Sequence, residues 1–208
     1  LFVGLGLFMF LTLPAFDYPG DNFAPYAEAG EIIQCGQPGI PLAQTSPGLA
    51  AFLNTPGQYF FEHPDNHKLY SKYGFAYTLL YLPPRWVDEW LSGPVAPAQI
   101  SRTWIAIIGI YTTLFALGAV VYLYRVTGLF CSRPHIRLLF ILATLFTTFV
   151  GYYLRTPALE IFQFLPFLAF HYLGLMHLNA RPDDPRAPRH LLAATLAAGW
   201  LILMKPSF

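Results

Sequence analysis

The chain has 208 residues, 55% of them hydrophobic and 11% charged, against the roughly 25% charged residues of a typical soluble domain; its mean hydropathy is +0.46. These values argue against a soluble single domain and against a charged disordered tail, and a formal net charge of +1 gives no electrostatic footprint for nucleic acid. The class they define is an all-α polytopic membrane protein.

In chain order, the opening run LFVGLGLFMFLTLPAF supplies about two-thirds of the roughly 20 apolar residues that a crossing helix needs before Pro14 and Asp17 interrupt it. Residues 1–14 therefore read as a truncated first transmembrane helix. They are a poor signal peptide, with no basic start and no small-x-small cleavage site. Residue 1 is Leu, and the final apolar run continues almost to the terminus. Both ends read as cut, and the expectation is the front part of a longer protein. Residues 15–102 are rich in Pro, Gly, Tyr and Asn, with no apolar piece long enough to span. Residues 103–208 then carry four further spans: Trp104–Tyr124, Ile136–Leu154, Pro157–Leu178 and a fourth beginning over His190–Met204. About five transmembrane helices follow, with one large first loop.

The arginines orient them. Arg125, Arg133 and Arg137 lie between the first two of the later spans, and Arg181, Arg186 and Arg189 precede the last. The positive-inside rule puts both groups in the cytoplasm. Residues 15–102, with eight acids and four Lys or Arg, then lie outside. A crossing at Gly74–Trp90 would move all six arginines outside, so that segment reads instead as a helix on the outer membrane surface. It is expected to break at Pro83-Pro84 and to place Tyr77, Tyr81 and Trp86 at the interface. Cys35 and Cys131 fall on opposite sides and read as unpaired structural cysteines.

Four segments carry a family resemblance. They are DNFAPYAEAGEII (21–33), HKLYSKYGFAYTLLYLPPRWV (67–87), YYLRTPALEIFQFLPFLAFHYL (152–173) and GWLILMKPSF (199–208). In order and spacing they resemble the GT-C membrane glycosyltransferases, in the bacterial branch of the aminoarabinose transferases and the dolichyl-phosphate-mannose protein mannosyltransferase-like proteins. The acid-to-tyrosine spacing, Asp21 to Tyr26, is one residue longer than that family's usual pattern. The resemblance implies transfer of a sugar from a polyprenyl-phosphate carrier to an acceptor at the outer face of a bacterial inner membrane.

That chemistry needs a base for the acceptor hydroxyl, worth about 10²- to 10⁴-fold, and cations for the departing phosphate. The resemblance implies Asp21 as base, with Asp17 its nearby competitor, and Tyr70, Lys72, Tyr73, Arg102, Glu160 and Lys205 around the carrier phosphate. Each has a plain structural alternative: a helix cap or solvated loop acid for Asp21, snorkelling to headgroups for the cations, and a wet helix end for Glu160. A divalent cation stands as an open cofactor, with His63 and His67 as weak ligands because Pro64 opposes the helix that would align them. His171 and His177 read as packing residues. The alternative function is a non-catalytic subunit of a larger membrane complex that keeps the fold. A channel or transporter is weaker, because the ionisable residues cluster at helix ends and not at the midplane.

Overall fold

The computed structural model describes residues 20–42, 60–96, 101, 103–147, 160–181 and 183–204. The expected first span at 1–14 lies outside them. Of the described residues 74% are helical, in α1 (Gly20–Cys35), α2 (Phe75–Ser92), α3 (Trp104–Phe130), α4 (Pro134–Thr147), α5 (Glu160–Leu178) and α6 (Ala187–Leu203). Three short strands, β1 (Ile40–Pro41), β2 (Phe60–His63) and β3 (Lys68–Ser71), lie between α1 and α2. The chain divides into two units: a loop unit of residues 15–108 and 203–208, and a span unit of residues 1–14 and 109–202. The division falls inside α3 and near the end of α6.

In the loop unit α1 is the core element. Every residue from Phe23 to Glu31 is buried, and Ala24, Ala27, Ala29 and Gly30 keep its girth small enough to be surrounded. One side of it packs along α2 and another against β3. The sheet is antiparallel with order β1-β3-β2. β2 and β3 form a hairpin, with Phe61 opposite Tyr70 and His63 opposite Lys68. Its turn, Pro64 to His67, closes by a bond from the His67 N–H to the His63 carbonyl at 3.1 Å and by Asn66 Oδ1 accepting the Lys68 N–H at 3.1 Å. The large loop therefore contains a small sheet beside its helices, which the apolar periodicity did not indicate.

The helix after the hairpin also departs from expectation. α2 runs unbroken from Phe75 to Ser92 through Pro83 and Pro84. Each proline lacks the N–H of a helical bond and costs on the order of 3 kcal/mol in a helix interior. The offset is a continuous buried stripe, Tyr77, Thr78, Tyr81, Arg85 and Asp88, spaced so that one face packs along α1. Tyr77 and Tyr81 are thus buried in the protein, whereas Trp86 is exposed as expected. The outward face is apolar, with Phe75, Leu79, Trp86, Val87, Trp90 and Leu91 all exposed.

In the span unit, α3 and α5 are long and apolar enough to cross a membrane, over Ala106–Phe130 and Glu160–Leu178. The described parts of α4 and α6 are shorter apolar helices. α3 and α5 pack together. Tyr111 and Phe115 meet Phe162 at ring-centroid distances of 5.8 and 4.8 Å, a Cβ on Gly118 would lie 3.3 Å from Leu165, and Tyr122 meets Tyr172 at 5.9 Å. The pairs ascend together along both helices, so α3 and α5 run parallel. Arg137 closes the far end of α3, donating to the carbonyls of Cys131 at 2.5 Å and Gly128 at 3.5 Å, which helix geometry leaves without donors.

Candidate functional site

The loop unit holds a buried polar network whose members come from both loop segments of the resemblance. Tyr26, Glu28 and Glu31 lie on α1, Ser71 ends β3, and Thr78, Arg85, Asp88 and Glu89 lie on α2. Glu28 accepts the Thr78 hydroxyl at 2.7 Å and the Ser71 N–H at 3.4 Å. Tyr26 donates its hydroxyl to Asp88 Oδ2. Oδ1 of Asp88 accepts the hydroxyls of Thr103 and, at 2.5 Å, of Ser101, whose own oxygen accepts the Trp104 N–H at 3.0 Å. The start of α3 is thus tied to α2, and Trp104 packs 4.3 Å from the Tyr26 ring.

Arg85 is fully buried and makes the second knot. It donates to Glu89 Oε1 at 2.7 Å and to the Val95 carbonyl at 2.5 Å, and its guanidinium lies 4.8 Å from the Tyr26 ring centroid. Gln34 on α1 donates to the same two acceptors at 2.8 and 2.6 Å. Gly30 makes this approach feasible, because a Cβ there would come within 2.9 Å of the Arg85 Cζ.

Burial sets the electrostatics. It holds the Glu28 carboxyl above its ordinary range, against the opposing hydrogen bonds from Thr78, Ser71 and Gly39. Burial, with the hydrogen bond to Asp88, also pushes the Tyr26 phenol up. Cys35 is exposed, and its hydrogen bond to Glu31 raises the thiol, which makes it a weaker nucleophile. Among the described residues, Glu31 Oε2 is a buried oxygen without a hydrogen-bond partner. Asp88 is committed to its hydroxyl donors and serves as a structural acceptor.

The sequence-derived site residues distribute as follows. Asp21 lies in the first turn of α1, its side chain outside the described residues; Asp17, Arg102 and Lys205 also lie outside them. Tyr70 is on the outer face of the hairpin, its hydroxyl accepting from Asn66 at 2.9 Å. Lys72 and Tyr73 follow in the turn leading to α2, with the Lys72 ammonium 5.1 Å from the Tyr73 ring centroid. Tyr73 is buried, and its N–H donates to Ser71 Oγ at 3.3 Å. Glu160 is exposed in the first turn of α5, in the span unit. His63 and His67 occupy the hairpin turn: His67 pairs with Glu62 at 3.0 Å, and His63 lies 3.9 Å from Asp65. Among the described residues no three His, Cys, Asp or Glu are grouped to hold a metal ion. His171 and His177 bond to the carbonyls of Phe167 and Ala187, at 2.8 and 3.0 Å.

Arg85, Asp88 and Glu31 were missed as site residues. For Arg85 and Asp88 the signal is the spacing 77, 81, 85 and 88, a stripe of large polar and aromatic side chains on one face of α2; Glu31, on α1, had no such signal. No family model, curated protein or solved structure matches the chain.

Proposed function

We propose that the chain is a multi-pass inner-membrane protein of about five spans that transfers a sugar from a polyprenyl-phosphate carrier to an acceptor at the outer face. The observation that carries this reading is the meeting of the Tyr26-Ala27-Glu28 segment with the Tyr70-Ser71-Lys72-Tyr73 segment. These lie more than 40 residues apart and are hydrogen-bonded through Glu28 to Ser71 and Thr78. The helix that carries Asp21 and the turn that carries Lys72 are therefore neighbouring parts of one unit, as a base and a phosphate-binding cation would need to be. The exposed apolar face of α2 is suited to the membrane surface, with Trp86 and Trp90 in the interfacial zone that tryptophan favours. Parallel packing of α3 and α5 supports the multi-pass topology, since the chain must return between two helices that cross in the same sense.

In this reading Asp21 takes the proton of the acceptor hydroxyl, and Lys72 with Arg102 and Lys205 offsets the charge of the departing carrier phosphate. The test is transfer of labelled sugar from a synthetic polyprenyl-phosphate donor by the full chain in nanodiscs. Asp21→Asn is expected to lower turnover about 10²- to 10⁴-fold without loss of the α1 and α2 helices. An unchanged rate in that variant overturns Asp21 as the base, and no turnover with any lipid-linked donor favours the non-catalytic subunit.

A further inference from the structure

We propose that the outer face of the β2–β3 hairpin is a carbohydrate-binding surface for a neutral pyranose ring, with Phe61 as its stacking platform. This rests on the hairpin alone and not on the transferase reading.

Phe61 and Tyr70 are directly opposed across the two strands, and their rings stack at 5.6 Å with an interplanar angle of 23°. Tyr70 is fixed from three directions. Asn66 donates to its hydroxyl, the Phe61 ring covers one side, and its ring lies so close to Gly39 that a Cβ there would come within 2.6 Å. Gly39 also has a φ of +86°, a conformation that glycine adopts readily. Phe61 is 52% exposed on a partner that cannot swing away. An exposed ring held in place is preorganised, so a ligand that lands on it loses little affinity to ordering the protein.

Polar groups flank the platform. The His63 ring lies 6.3 Å from Tyr70, and His63 is opposite Lys68 on the same face. The Lys68 ammonium donates to Gln37 at 3.2 Å. An aromatic face carries partial negative charge and attracts polarised C–H groups, while amides, an imidazole and a phenol exchange hydrogen bonds with hydroxyls. A pyranose offers both, an apolar C–H face and a rim of hydroxyls.

Charge complementarity favours this occupant over others. Glu62 is engaged by His67 and the Lys68 ammonium by Gln37, so each of these two charged groups of the hairpin already has a partner within the protein. Histidines and carboxylates at the edge make insertion into lipid costly. A second protein needs about 800 Å² on each side, beyond the area of a two-strand face whose exposed aromatic contributes roughly 150–250 Å² when buried.

The test is saturation-transfer NMR on the full chain in nanodiscs with methyl β-glucoside, methyl α-mannoside and chitotriose as probes and inorganic phosphate as competitor. These probes carry no lipid or phosphate and no transfer is scored, so failure of the transferase reading leaves the result intact. Saturation should reach the ring C–H protons of at least one probe. Phe61→Ala should weaken binding about fivefold or more, whereas Phe61→Trp keeps it, and circular dichroism should show both variants folded. No transfer to any probe, equal transfer with Phe61→Ala, or full displacement by inorganic phosphate would each overturn the proposal.

Discussion

The two units of this chain solve the same problem, satisfying polar groups away from water, in opposite ways. In the span unit threonine hydroxyls turn back to their own helix. Thr113 bonds to the Gly109 carbonyl at 2.7 Å, Thr127 to Leu123 at 3.0 Å, Thr144 to Phe140 at 2.9 Å and Thr195 to Leu191 at 3.0 Å. Large apolar side chains, among them Leu114, Leu139, Leu192 and Ile202, face outward. Bonds of this kind are local to one helix, and polar contacts from helix to helix, such as Arg137 to the Gly128 carbonyl and His177 to the Ala187 carbonyl, sit at helix ends. In the loop unit the polar groups reach across elements that are distant in sequence: Tyr26 to Asp88, Glu28 to Thr78, Gln34 to Glu89. Its apolar surface is confined chiefly to one face of α2. Local satisfaction makes a helix independent of its partners, and long-range satisfaction makes a fold that stands or falls together.

The sharpest way to break that comparison is Asp88→Leu. It strands the buried Tyr26 hydroxyl, at about 1–3 kcal/mol, and takes from the half-buried Ser101 and Thr103 the carboxylate they share. A loss of about 2–4 kcal/mol is expected. Hydrogen exchange should show it as lost protection throughout α1 and α2, with α5 amides nearly unchanged. Equal loss in α5 would mean that the two units unfold as one.

A matched pair of glycines gives a smaller and more discriminating contrast. At Gly30 a new Cβ meets the guanidinium of Arg85 at 2.9–3.0 Å, and that side chain is buried and hydrogen-bonded in place. At Gly118 the nearest atoms are the methyl carbons of Leu165 at 3.3 Å, the far end of a side chain able to shift. Gly30→Ala is expected to destabilise by about 1–3 kcal/mol, as overpacking does, and Gly118→Ala by less than about 1 kcal/mol, partly offset by better helix propensity. Thermal melts in detergent, followed by tryptophan fluorescence and helical ellipticity, would rank them. The reverse order would place the rigid packing in the spans.

The same contrast explains what was legible in the sequence. A helix that must satisfy itself betrays itself by composition alone, so α3, α5 and α6 could be located from apolar run length, with boundaries off by a few residues. The loop unit depends on pairings that composition does not encode. Pro83-Pro84 argued for a break, because the local rule contains no term for the stripe that packs α2 on α1. Arg85 and Asp88 fall in a segment that reads as a surface helix, yet both are fully buried, since each finds partners 10 or more residues away. The hairpin did carry a signal, aromatic residues on both sides of the turn residues Pro64-Asp65-Asn66, but its strands are four residues long and lack β-branched side chains. Of the site, the Tyr26-Ala27-Glu28 and Tyr70-Ser71-Lys72-Tyr73 segments were visible as motifs, and that they bind each other was not.

The last contrast is in pH. Burial holds the Glu28 carboxyl above its ordinary value of 4.5, so the folded loop unit keeps a proton that the unfolded chain releases first. Below about 4.5 both states are protonated and the stability is at its full value. As pH rises from there, the unfolded chain ionises while the fold does not, and stability falls until Glu28 itself ionises. In the span unit Thr113, Thr127, Thr144 and Thr195 bond to backbone carbonyls, which do not ionise. Glu28→Gln keeps an oxygen for Thr78 and Ser71 and removes the ionisation, so its unfolding free energy should be flatter than that of the parent from pH 4.5 upward. The difference between the two curves isolates Glu28 from every other ionisable group, since the two proteins share all of them. It should be smaller than the Gly30 effect, because Thr78, Ser71 and Gly39 already stabilise the charged form. Parallel curves would show that Glu28 is solvated in solution, and α1 and α2 would then be joined by Tyr26 and Asp88 instead.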